Sequence, residues 1–263
     1  MAKVMKTRSK VVAENRGQCR KAPRKPTPQT ESPTKMFLRG RRLFGPKCNG
    51  EDYRAGYKLL KRAAALGHAR AHEGLGLIYD YGLGARPNRS LALKHYRSAA
   101  EAAIPNAEYH VGVFYYQGIG VRKNFRAAVF WLRRAAKHGD DTAKYLLGEC
   151  YRRGRGVPRN RRKGFTLELE AAMAGVLDAQ YSVALCYSSG EGIETDMNQA
   201  FQWYLKAARR GHEYAAHNLA RLYETGRGVL LNKRRAEHWY SRSEENGRLP
   251  PNGQRQKTST KGR

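Results

Sequence analysis

The chain has 263 residues, 51 of them Lys or Arg against 22 Asp or Glu, which gives a formal net charge of +29. Its hydrophobic fraction of 40% suffices for a core, but no stretch approaches the roughly 18 uninterrupted apolar residues of a spanning helix. Met1 to Lys35 holds no apolar run of the length a secretory leader needs, and four cysteines in a chain of this size do not make a disulfide scaffold. A strongly basic intracellular protein is expected, in the cytoplasm or alternatively in the nucleus.

Residues 1–35 carry a net +8 and include Pro23, Pro26, Pro28 and Pro33. So little apolar surface cannot offset the entropy of ordering, so residues 1–35 are expected to be a disordered basic arm. Glu14 and the lack of an amphipathic stripe argue against a mitochondrial presequence. Met36 to Phe44 then reads as a degenerate first helix, with Gly40 in phase with Gly76, and Tyr53 to Leu66 as a second one. From there the chain is a repeat. The pairs Gly82/Gly84, Gly118/Gly120, Gly154/Gly156, Gly190/Gly192 and Gly226/Gly228 recur every 36 residues. Tyr79, Tyr115, Tyr151, Tyr187 and Tyr223 precede them in constant phase, and so do Ala71, Ala107, Ala143, Ala179 and Ala215.

Each unit reads as two helices. In Ala69 to Tyr81 the apolar positions Ala71, Leu75, Ile78 and Tyr79 fall on one helical face. Glycine closes that helix because it adopts the left-handed conformation a C-terminus needs. Asn88, Asn124, Asn160, Asp196 and Asn232, six residues after the first glycine, are placed to cap the second helix. The second helix, such as Arg89 to Ala103, carries a stripe like Ala128, Trp131, Leu132 and Ala135, and closes at Gly139, Gly175, Gly211 or Gly247, with Ala103 as the exception. By the same phase Asp52 stands where Asn88 does. The chain ends with residues 248–263, net +5, containing Pro250-Pro251, again expected to be a disordered basic tail.

Leu147-Gly148-x-x-Tyr151 and Trp203-Tyr204-x-x-Ala207-Ala208-x-x-Gly211, set in this frame, resemble the Sel-1-like repeat, a relative of the tetratricopeptide repeat. The resemblance covers roughly residues 52–247, and residues 36–68 are its degenerate first unit. It implies an all-α fold, a right-handed α-solenoid of helix-turn-helix units spanning 36–247, and an adaptor role in protein complexes. Gly164 and Leu167 depart from the pattern, where other units have Ala and Trp.

Chemistry is sparse. No Gly-Lys-Ser/Thr follows the glycine pairs and no strand precedes them, so they read as caps and not as phosphate loops. His68 and His72 have a metal-like spacing without a third ligand, so neither a metal nor a cofactor is expected. Cys150 and Cys186 share a repeat position and read as small core residues. A hydrolase of the cysteine-rich Sel-1-like type is the weakest alternative, since the within-repeat cysteine pairs are missing.

Two surfaces stand out. Arg152, Arg153, Arg155, Arg159, Arg161, Arg162 and Lys163 put seven cations in twelve residues, in phase with Arg122, Lys123 and Arg126 and with Arg227, Lys233, Arg234 and Arg235. Such a run suits an acidic partner or a polyanion such as RNA, with Glu191, Glu194 and Asp196 interrupting it in the next unit. Tyr109, Tyr145 and Tyr181 lie in phase on the first helices, where packing is the expected role and an aromatic strip the alternative. Around them His110, Glu149, Asn218 and Arg221 vary within the constant frame, as a concave binding surface requires. The expectation is a non-enzymatic, monomeric adaptor that binds another protein or peptide, with a nucleic-acid or ribonucleoprotein binder as the alternative.

Overall fold

A computed structural model describes residues 31–246 of the protein. Among these residues there are twelve α-helices and no strand. In chain order they are α1 (Pro33–Arg42), α2 (Gly50–Ala65), α3 (Ala69–Tyr81), α4 (Arg89–Glu101), α5 (Pro105–Gln117), α6 (Phe125–Lys137), α7 (Asp141–Arg153), α8 (Arg161–Met173), α9 (Leu177–Ser189), α10 (Met197–Arg209), α11 (Glu213–Thr225) and α12 (Lys233–Asn246). Odd-numbered helices are the first, and even-numbered helices the second, of six successive pairs. The fold is an α-solenoid. Among the described residues it divides into two compact units, one reaching Cys150 and including 154–158, the other comprising 151–153 and 159–246.

The punctuation follows from the glycines and asparagines. Gly82, Gly118, Gly154, Gly190 and Gly226 close the first helices with φ between +69° and +78°, where a side chain would be strained. The second glycine of each pair has a further reason. At Gly192, φ is +88°, and a Cβ would come within 3 Å of the Arg161 carbonyl at the start of α8. Asn88, Asn124, Asn160 and Asn232 each accept a hydrogen bond through Oδ1 from the backbone N–H three residues on, and Asp196 does so two and three residues on. The turn after each second helix needs positive φ as well. Gly67, Gly139, Gly175 and Gly211 supply it, and Ala103 adopts φ +57° in the same place.

Two expectations at the N-terminus change. Helix α1 begins at Pro33, capped by Ser32, inside the segment read as a disordered arm, because Ser-Pro is itself a helix start. The rest of that arm and the tail 248–263 lie outside the described residues. Asp52 is not the cap of α2. Asn49 is, accepting from the N–H groups of Glu51 and Asp52 at 2.9 and 3.1 Å, while the Asp52 carboxylate accepts from the Asn49 N–H at 3.0 Å. This reciprocal capping box starts the helix three residues earlier than the phase of the other units predicts.

In the N-terminal unit one core cluster joins Met36, Phe37, Phe44, Leu60, Leu75 and Ile78, and a second joins Leu93, Tyr96, Val111 and Phe114. In the C-terminal unit the core gathers Tyr204, Leu219, Leu222, Tyr223 and Trp239 with a series of buried alanines. Ala99, Ala100, Ala171, Ala172, Ala207 and Ala208 are all buried to within 1%. Their small side chains let helices approach closely.

Candidate functional site

The seven-cation run is divided by the fold. Arg155 belongs to the N-terminal unit and the other six to the C-terminal one. Arg155 hydrogen-bonds the Tyr116 hydroxyl, lies 5.5 Å above the rings of Tyr116 and Phe125, and sits 3.8 Å from Glu149. Arg152 turns inward, its side chain 15% exposed, and donates to Glu168 at 3.1 Å and to Glu191 at 2.8 Å. Burial disfavours its charge, but the two carboxylates beside it raise its pKa above the usual arginine value. Arg159 donates to the Arg152 carbonyl at 3.0 Å and reaches Glu191 at 3.5 Å. Arg161 lies 3.6 Å from the same carboxylate. Lys163 sits 4.4 Å above the Tyr151 ring, and Arg235, two repeats on in the same phase, sits 5.6 Å above Tyr223. Arg153 and Arg162 are exposed. Glu191, expected to interrupt a basic stripe, instead gathers three of its arginines. Three carboxylates, Glu149, Glu168 and Glu191, thus lie against four of the seven cations.

Glu168 was not among the residues singled out from the sequence. Its side chain is fully buried, with Oε2 accepting from the Ser182 hydroxyl at 2.6 Å and lying 3.8 Å from the Cys186 sulfur. A signal existed: the positions in phase are Leu60, Tyr96, Leu132, Tyr204 and Tyr240, large apolar or aromatic residues in each case. Glu108 in the N-terminal unit is a second buried carboxylate, 2.9 Å from Arg134 and 2.8 Å from Nδ1 of His138. Cys186 and Cys150 are free and buried, and burial raises both thiols to about 12, so neither is an activated nucleophile.

The first-helix residues are dispersed. Tyr109, Tyr145, Tyr181, Glu149 and Asn218 are half-buried and Arg221 is exposed. Tyr109 meets His110 edge-on at 5.5 Å. His110 cannot present its ring to a partner: it is 6% exposed and stacked on Tyr96 at 4.5 Å, with burial pushing its pKa down to about 4. In the C-terminal unit Tyr181 stacks on His212 at 4.5 Å and approaches Tyr214 at 6.1 Å, and Asn218 hydrogen-bonds the Tyr181 and Tyr204 side chains. Tyr214 is 46% exposed. His68 serves as the cap of α3, accepting from the Ala71 N–H, and its ring stacks on Phe37.

Among the described residues no helix is long and apolar enough to cross a membrane. The Sel1 repeat matches six consecutive segments, residues 36–68, 69–103, 105–140, 142–176, 177–212 and 213–247. The chain is 31% identical to a Sel1 repeat protein from Oxalobacter formigenes, with a TM-score of 0.72 over 81% of this chain and 85% of that one. It is 30% identical, with a TM-score of 0.75, to a protective antigen of uropathogenic Escherichia coli strains that displays the SLR fold, and spans 46% of that protein's length. An immunity protein from Pseudomonas aeruginosa, 20% identical with a TM-score of 0.53 over 84% of this chain and 83% of that one, shares the fold alone. No curated protein matches the chain. Six matched segments covering the whole solenoid place the chain in the Sel1 repeat family, whose members are generally protein-interaction scaffolds.

Proposed function

We propose that the protein is a non-enzymatic adaptor that holds another protein or peptide against its first helices, the face expected to be concave. The observation that carries this reading is the exposed aromatic group of the C-terminal unit. Tyr214 projects from α11 beside Tyr181 and His212, with the exposed Arg221 on the same helix. Tyrosine and arginine are the residue types that anchor protein interfaces. Capture from a lysate by the parent chain and by a Tyr214→Ala, Arg221→Glu variant tests it. Both changes lie at exposed positions, so the fold should persist while the captured partner is lost. Retention of the same partner by a folded variant would refute this face as the binding surface.

A second reading has its own observation. In the N-terminal unit Arg122, Lys123, Asn124, Phe125, Arg126 and Gly156 line an open depression of about 540 Å³. Cations around an aromatic ring suit single-stranded RNA. Replacing Arg122, Lys123 and Arg126 by Gln should weaken RNA binding and reduce its salt slope by about 0.7 per lost phosphate contact. Unchanged binding would exclude the depression.

A further inference from the structure

The loop between α11 and α12 carries two leucines that the protein itself does not bury. Leu230 is 88% exposed, more than any other large hydrophobic among the described residues, and Leu231 is 60% exposed. The four preceding units have Arg86-Pro87, Arg122-Lys123, Pro158-Arg159 and Glu194-Thr195 in the same phase, so the frame does not require apolar side chains here. Nor is the loop a frayed end. Gly226 closes α11 in the left-handed conformation. The Asn232 N–H donates to the Tyr223 carbonyl at 2.8 Å, and its Oδ1 accepts from the Arg235 N–H at 2.9 Å. A Cβ on Gly228 would come within 3 Å of the Met197 carbonyl, so the loop sits directly against the start of α10. Val229 packs on the core of the C-terminal unit. With Val229 anchored, Leu230 and Leu231 form the exposed tip of a fixed loop.

Positive charge flanks this tip. Between Glu224 and Glu237 the chain has four cations, Arg227, Lys233, Arg234 and Arg235, and no acid, and all four are exposed. Glu224 accepts from the Tyr240 hydroxyl at 2.8 Å. Single exposed leucines are ordinary on a protein surface. An adjacent pair within a basic rim is the arrangement of a peripheral membrane contact, in which apolar side chains enter the acyl boundary and cations meet anionic headgroups. Shape decides between a bilayer and a protein partner. A specific protein interface needs a broad complementary face, whereas these leucines protrude from a short loop, and a bilayer accepts a protrusion without complementary shape. Burying one leucine raises partitioning by about tenfold or more, and each cation near an anionic surface by about fivefold.

We propose that the Leu230-Leu231 loop is a peripheral membrane contact that enters the headgroup region of an anionic phospholipid bilayer, with Arg227, Lys233 and Arg234 on the headgroups. It lies at the opposite end of α11 from Tyr214, so a protein held on the first helices and a bilayer met by this loop do not compete for the same residues. The inference stands apart from the adaptor reading and survives its failure.

The test sediments the full chain with vesicles of phosphatidylcholine, alone and with about 30% phosphatidylserine. Saturable binding to the anionic vesicles is expected. The other cations of a chain with net charge +29 attract such vesicles too, so the leucines give the deciding readout. Leu230→Ser combined with Leu231→Ser should lower the partition coefficient at least about tenfold and leave a residue that salt abolishes. Leu66→Ser, at a position 59% exposed in the N-terminal unit, should leave it unchanged. Arg227→Gln, Lys233→Gln and Arg234→Gln should each cost about fivefold at low salt. Circular dichroism checks that every variant is folded. Equal partitioning of parent and folded double-leucine variant overturns the proposal, as does an equal loss from Leu66→Ser or a parent that ignores anionic vesicles. A parent that ignores vesicles but binds an acidic, leucine-rich peptide through this loop overturns it in favour of a protein partner.

Discussion

Tyr96 with His110 in the N-terminal unit and Glu168 with Ser182 in the C-terminal unit occupy the same two positions of the repeat, and they solve the same packing problem in opposite ways. In the first, two rings stack 9° from parallel, and the Tyr96 hydroxyl and His110 Nε2 are buried without a hydrogen-bond partner. The stack gains apolar contact and leaves polar atoms unserved. In the second, a carboxylate stands where the other units have Leu or Tyr, and serine, cysteine and arginine enclose it. The difference is in failure: the stack loses stability gradually, whereas the ion pair is strongly sensitive to losing one partner.

The largest expected effect follows directly. Arg152→Met removes the arginine that pairs with the buried Glu168, which should cost about 3–5 kcal/mol in denaturant unfolding. A loss no greater than that of an exposed arginine would mean Glu168 is served well enough by Ser182. The stacked pair should respond to pH. His110 has a folded pKa of about 4 against 6.5 for the free side chain, so the unfolded chain takes up its proton first as pH falls. Its contribution is complete above pH 6.5 and declines toward pH 4, by on the order of 3 kcal/mol. His110→Leu, the residue that Leu146 places in the same phase, should flatten the stability curve over that window, and an unchanged slope would contradict it.

The frame itself yields the smaller effects. Gly192→Ala combines positive φ with a Cβ pressed against the Arg161 carbonyl, whereas Gly211→Ala has comparable φ and open space. The first should cost at least about 2 kcal/mol and the second about 1 kcal/mol, read from paired thermal melts. Equal costs would show that the close approach carries no energy. Ala103→Gly should stabilise by up to about 1 kcal/mol, because alanine there holds the left-handed conformation that glycine adopts in the other units.

The 36-residue period, the glycine closures and the asparagine caps were all legible in the sequence, since each depends on local chemistry repeated in register. What escaped was in most cases decided by a residue from another helix, and at the N-terminus by a local cap that the repeat phase did not show. Arg152 looked like one more loop cation because nothing near it shows that Glu168, 16 residues on, is buried. Glu191 looked like a break in a basic stripe until its carboxylate was found among Arg152, Arg159 and Arg161. His95 went unremarked beside the His68 and His72 spacing, although the fold pairs His72 with His95 and gives His68 a capping role. Asp52 misled because its phase was right and its neighbour Asn49 made the better cap.

The claim that Arg152, within the seven-cation run, holds the fold before it meets any partner is tested most directly by a double-mutant cycle on Arg152 and Glu168. Arg152→Met, Glu168→Leu and the pair would be unfolded by denaturant at pH 7. Glu191 keeps Arg159 and Arg161 in the double variant, so no new buried charge is left behind. The account predicts that the double variant returns close to the parent, with a coupling of at least about 2 kcal/mol. Losses that simply add would contradict it and return Arg152 to the exposed surface.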